Sequence, residues 1–285
     1  MKKLFFCFLF LSSFIIYFPQ QNNISFSKDF YKKHLEFLGS DLLEGRGTGT
    51  TVSNLSAKYL ALEFSKLNLQ PIGADNTYYQ YVPMHGSIPT NESELKIFYN
   101  EKEIQFKLMD DYVLLKSGEQ TFIPNPLPLV FVGYGIIAPE YDYNDYQNID
   151  VENKVVVFID GEPVSNNKDF FDAENPTIYS SIDAKQRIAL SRGAKGSILI
   201  PRLNSENEWQ KYINDFSFED VTLAYTITSN LSIIINPENF QNIFQGTDYS
   251  IENIYDLDKK GEMKSFPLKT KLSFKGKFQE RDFID

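Results

Sequence analysis

Residues able to ligate a metal or act as a nucleophile are scarce in this chain. It has 285 residues, with two histidines, His34 and His85, and a single cysteine, Cys7. A zinc centre gathers three or four close ligands from His, Cys, Asp and Glu. Neither histidine belongs to an H-x-x-x-H or H-x-D pairing. His34 stands at the edge of an apolar helical stripe and reads as a packing residue. His85 adjoins Gly86 and reads as a solvent-exposed turn residue. There is no G-x-S-x-G elbow, and two histidines in such settings do not supply a Ser-His-Asp triad. The sequence therefore assigns no catalytic residue and no metal ligand, and leaves substrate-binding residues unspecified.

Three other constellations invite a chemical reading. Residues 44–49, EGRGTG, are rich in glycine. No G-K-[ST] follows at P-loop spacing, and no strand precedes them as a dinucleotide fingerprint requires. The glycines therefore read as a tight corner, with Arg46 in a structural ion pair. Glu140, Asp142, Asp145 and Asp150 lack the spacing of an EF-hand loop. They read as a solvated turn, with a weak cation site as the alternative. Tyr141, Tyr143 and Tyr146 lie in the same loop. They read as packing, with carbohydrate stacking as the alternative.

The elements that must hold these residues follow from periodicity. Ser27 can cap a helix reaching Leu38, and Thr50 or Thr51 a second helix reaching Asn68. Leu55, Tyr59 and Leu62 on one side of the second helix, and Leu60, Phe64 and Leu67 on the other, predict a helix covered on both sides. Residues 78–84 read as a strand, 94–100 and 103–109 as a hairpin, and the proline-rich 123–128 as a rigid linker. Buried strands are expected at 128–136, 154–160 and 195–201, with a helix over 180–194 between the last two. That order is a βαβ unit with parallel strands. Residues 231–240 read as a strand and then a helix that starts near Pro237 and ends at Gly246. Residues 269–278 alternate, with Leu272, Phe274 and Phe278 on one face and lysines on the other.

Net charge is −10, which argues against nucleic acid, whose phosphates need a basic face. Lys2 and Lys3, the uncharged apolar run 4–18 and the polar QQNN after it read as an export signal or an N-terminal anchor over residues 1–21. The run is short for a membrane span. Cys7 lies inside it and reads as a hydrophobe.

Residues 34–84, from HLEFLGSDLLEGRGTGT to TYYQYVPM, resemble the start of secreted bacterial zinc aminopeptidases of the co-catalytic di-zinc type. LVFVGYGI and the K-x-x-x-A-x-x-x-G-A-x-G phrase from Lys185 to Gly196 resemble the protease-associated domain that many members carry as an insert. The resemblance implies an α/β protein: an incomplete exopeptidase domain with an inserted β-rich protease-associated domain containing the βαβ unit. It implies an N-terminal peptidase-like part at 22–115, the protease-associated part at 116–236 and a return segment at 237–285. Full-length members bind two zinc ions and hydrolyse N-terminal peptide bonds. Their ligands lie downstream of the phrases matched here, so no zinc and no activity is expected of this chain alone. The rival expectation is a stand-alone exported module that binds peptides or a partner protein. The membrane would be met only through the N-terminus.

Overall fold

The computed structural model describes residues 27–115, 122–164, 167, 169–171, 175–203, 207–226 and 230–285. The readings of residues 1–21 and of Cys7 lie outside them. Among the described residues, no helix is long and apolar enough to cross a membrane. The chain divides into two compact units, residues 1–60 and 61–285.

The first unit opens with α1 (Lys28–Leu38), capped by the Ser27 hydroxyl, which accepts from the Phe30 N–H. A 3-10 turn over Asp41–Arg46 leads to α2 (Thr51–Lys66). Thr50 caps α2 by accepting from the Ser53 N–H. His34 sits edge-on to Phe30, and its Nδ1 lies 2.6 Å from the Tyr59 hydroxyl. It is a packing residue, as the sequence predicts.

The expected covering of α2 is not found. Leu55, Leu60, Leu62 and Phe64 are 39–62% exposed, and Ser56 is the residue buried on that helix. Apolar side chains on both sides of a helix state a preference for cover, and the described residues do not supply it.

The second unit begins with β1 (Pro83–Pro89), the hairpin β2 (Glu94–Tyr99) and β3 (Lys102–Phe106), and β4 (Tyr112–Leu114). Next come β5 (Phe122–Val132), the short pair β6 (Ile137–Ala138) and β7 (Tyr143–Asn144), and β8 (Val155–Ile159). Then follow α3 (Ile182–Ser191), β9 (Gly196–Ile200), α4 (Asn207–Phe216), β10 (Asp220–Leu223) and β11 (Leu231–Ile235). The unit closes with α5 (Phe240–Ile243), α6 (Ile251–Lys260), β12 (Ser265–Lys275) and β13 (Phe278–Ile284).

An eight-stranded mixed sheet runs β3-β2-β12-β5-β8-β9-β11-β4. Strands β5, β8, β9 and β11 are parallel, and the β8–α3–β9 unit forms as expected. The sheet takes strands from each of the three sequence segments. Its parallel strands are apolar on both sides because both sides are covered. Val155, Val157 and Ile159 join Phe240, Phe244 and Ile254 of α5 and α6. Val156 and Phe158 face the opposite way, toward Ala189 of α3 and Trp209 of α4. Each large side chain so buried contributes about 1.5–3 kcal/mol.

Two strand readings are corrected. Residues 123–128 are the first half of β5 rather than a linker. There β5 pairs with β12, while β8 meets it only from Leu129 onward. Prolines 124, 126 and 128 are tolerated on that open side, where no ladder donor is needed. Residues 78–82 form no strand, and β1 starts at Pro83. It lies at the centre of a separate sheet, β10-β1-β13. Phe278 belongs to β13 of that sheet, one turn beyond β12 with its Leu272 and Phe274.

Candidate functional site

In open α/β sheets, ligands are taken up outside the carboxyl ends of the parallel strands. Here those ends are the Gly133-Tyr134-Gly135 turn after β5, Asp160-Gly161-Glu162 after β8, and Pro201-Arg202 after β9. Lys185 of α3 and Asp258 of α6 reach the same place, both buried.

Most of the groups there are hydrogen-bonded, while Arg202 Nη2 is buried without a partner among the described residues. Lys185 Nζ donates to the Ile159 carbonyl at 3.1 Å and to the Gly161 carbonyl. Its ammonium lies 5.9 Å from the Tyr134 ring centre. Asp258 accepts from the Tyr134 hydroxyl and, at 2.6 Å, from Arg202 Nη1. Arg202 Nε donates to the Asp160 carbonyl at 3.1 Å. Beside them Asp145 accepts from the Ile136 N–H at 2.9 Å and from the Tyr143 hydroxyl at 2.8 Å. Glu162 is taken up by the Thr177 N–H and hydroxyl.

Burial sets the electrostatics. It pushes the Asp145 carboxyl up to about 6, against the opposing hydrogen bonds from Ile136 and Tyr143. It draws the Lys185 ammonium down to about 8, with Asp160 and Asp145 opposing. Burial, then the bond to Asp258, raises Tyr134. The backbone is fitted to this packing. Gly133 has φ +56°, and a Cβ there would stand 2.7 Å from Asp145 Oδ1. In this cluster the ammonium is held by carbonyls and the carboxylates by neighbouring donors.

The residues singled out in the sequence are not brought together. Asp145 is buried in this network rather than in a solvated turn, a correction caused by its role in tying the Gly135-Ile136 backbone. Asp150 pairs with Lys154, and Glu140 accepts from the Tyr179 hydroxyl. Tyr141 packs 4.4 Å from Phe171, and Tyr146 is buried. These rings pack against neighbouring side chains, with Tyr141 and Tyr143 partly buried. Arg46 Nη1 donates to the Leu38 carbonyl at 2.6 Å, tying the corner to the end of α1 in place of the expected ion pair.

His85 is corrected most. It is 2% exposed at the centre of the three-stranded sheet, with Nδ1 2.9 Å from Asp282 Oδ1. Pairing with β13, across 197 residues, encloses it. No group of three or more His, Cys, Asp or Glu side chains disposed to hold a metal occurs among the described residues.

In the sequence, Lys185 stands out only as the first residue of the 185–196 phrase, and Tyr134, Arg202 and Asp258 carry no local signal of a role. The fold places two of these charges on buried stripes: Lys185 with Ala189 on α3, and Asp258 with Ile254 on α6.

No protein-family description matches this chain, and no curated protein matches it in sequence. Among solved structures it is similar to an aminopeptidase from Aneurinibacillus sp. strain AM-1, at 17% identity and a TM-score of 0.34, over 86% of this chain and 45% of that one. It is similar also to BSAP, a zinc aminopeptidase from Bacillus subtilis, at 16% identity and a TM-score of 0.31, over 88% of this chain and 46% of that one. The chain thus spans just under half the length of these solved structures.

Proposed function

We propose that this chain is the N-terminal, non-catalytic portion of an exported aminopeptidase-like protein, a scaffold that includes a protease-associated type of domain. The parent reaction would be metal-dependent hydrolysis of N-terminal peptide bonds, and this portion would contribute no ligand or proton carrier to it. The observation that carries the reading is the filled strand-end crevice. Where an α/β enzyme would receive its ligand, Tyr134 and Arg202 bond Asp258, Lys185 is held by the Ile159 and Gly161 carbonyls, and Asp145 by the Ile136 N–H and the Tyr143 hydroxyl. The phrases at residues 34–84 and 185–196 support the family side of the proposal.

The test is hydrolysis of amino-acid anilides by the purified full chain with zinc supplied. The expected rate equals the blank. Turnover abolished by a chelator and restored by zinc would overturn the proposal.

A second reading, a stand-alone exported module binding peptides or a partner protein, is favoured by one feature. A groove of about 630 Å³ is lined by Phe64, Leu69, Ile72 and Tyr78 to Tyr81, and is more apolar than polar. Saturable binding of a peptide library to the chain, weakened by Ile72→Asp, would support that reading.

A further inference from the structure

We propose that the outward face of β12 is a docking surface for an anionic lipid bilayer. Strand β12 alternates: Leu268, Thr270, Leu272 and Phe274 are buried, while Lys269, Lys271 and Lys275 are exposed. Lys277 is exposed just past its end. Residues 269–277, KTKLSFKGK, contain four lysines and no acid, in a chain of net charge −10. Among the described residues none of these four lysines makes an ion pair. Two acids of the neighbouring strands share this face, Glu94 opposite Lys275 and Glu103 opposite Phe98, and both are turned to Lys96. Lys96 holds Glu103 at 2.8 Å and Glu94 at 3.7 Å.

Aromatic rings share this face. Phe122 lies opposite Lys275 and is 56% exposed. Phe98 lies opposite Lys271 and is half-buried. Directly opposed residues of an antiparallel pair point to the same side. Alternate residues of one strand stand roughly 7 Å apart, so Lys269 and Lys271 are neighbours on this face, Ser273 separates them from Lys275, and a ring stands beside each of Lys271 and Lys275. Lysines attract anionic headgroups, and an apolar ring enters the boundary beneath them. A soluble polyanion would meet the lysines and leave Phe122 in water, which favours the bilayer. The acidic remainder of the protein does not prevent contact, because charges more than about 8–10 Å away are screened at physiological salt.

The experiment is sedimentation of the full chain with vesicles of phosphatidylcholine alone and of phosphatidylcholine mixed with phosphatidylglycerol, at low and physiological salt. The neutral vesicles read out any insertion by the N-terminal apolar run, and the difference between the two vesicles reads out the strand. The proposal expects stronger binding to the phosphatidylglycerol vesicles, falling with salt. It expects a loss of about fivefold for Lys271→Gln, converted from about 1 kcal/mol per lysine at an anionic surface. Lys269→Gln/Lys271→Gln/Lys275→Gln should lose correspondingly more, and Phe122→Ala should weaken binding without changing its salt dependence. The single Lys271→Gln variant reads the effect even if the triple variant folds poorly. Equal binding to both vesicles, or no change on Lys271→Gln, overturns the proposal. So does binding to heparin in solution as tight as to phosphatidylglycerol vesicles and insensitive to Phe122→Ala.

Discussion

Replacing Asp258 tests whether the strand-end network holds the second unit together. Asp258 takes a 2.6 Å bond from Arg202 Nη1 and a bond from the Tyr134 hydroxyl, with its side chain 7% exposed and that of Arg202 32% exposed. Removing one partner of a buried ion pair costs about 3–5 kcal/mol, because the other charge is left without compensation. The open third of the Arg202 side chain puts Asp258→Leu at the lower end, about 3 kcal/mol. Arg202→Met strands the more deeply buried carboxylate and should cost a similar amount. Asp258→Leu with Arg202→Met removes both charges and leaves chiefly the Tyr134 hydroxyl unsatisfied, about 1 kcal/mol. The assay is urea unfolding of the wild type, both single variants and the double variant, followed by the fluorescence of Trp209. The double variant should be more stable than either single variant, giving a coupling of about 5 kcal/mol. Strictly additive losses would show that the two side chains act independently, and the reasoning would fail.

Two further outcomes follow from the same cluster. Because burial raises the folded pKa of Asp145 to about 6 from an ordinary value of 3.8, the folded state binds a proton more tightly than the unfolded chain. The resulting stabilisation is fully present below about pH 4 and is lost as pH rises through about 6. It amounts to about 2–3 kcal/mol. Asp145→Asn should remove this part of the slope, read as the difference between variant and wild-type unfolding free energies from pH 4 to 6.5. Parallel slopes would contradict it. Gly133→Ala must place a Cβ at φ +56°, 2.7 Å from Asp145 Oδ1, whereas Gly261→Ala at φ +67° meets nothing within 4 Å. Both should lose about 1 kcal/mol to the left-handed backbone, and Gly133→Ala at least about 1 kcal/mol more by steric strain. Equal urea midpoints would refute the close fit at Gly133.

The parts of the fold that depend on near neighbours were readable. The Ser27 cap, the turn at Asn100 and Glu101, and the apolar strands flanking α3 each declare themselves within a short window. The parts that depend on distant pairing were not. His85 resembles a turn residue until β13 is laid beside β1, and the prolines of 123–128 resemble a linker until β12 pairs with them. The network at the strand ends joins groups from residues 134, 145, 185, 202 and 258, and no local pattern relates them. Lys185 and Asp258 on buried helical stripes were visible only as local misfits. A charge on a buried stripe indicates that a partner exists and leaves its identity to the fold.

We propose that this chain supplies a scaffold rather than a metal centre. Zinc titrated into the purified full chain in a calorimeter tests it directly. The account predicts no saturable uptake at stoichiometric zinc. Saturation at two zinc ions per chain, with submicromolar affinity, would contradict it.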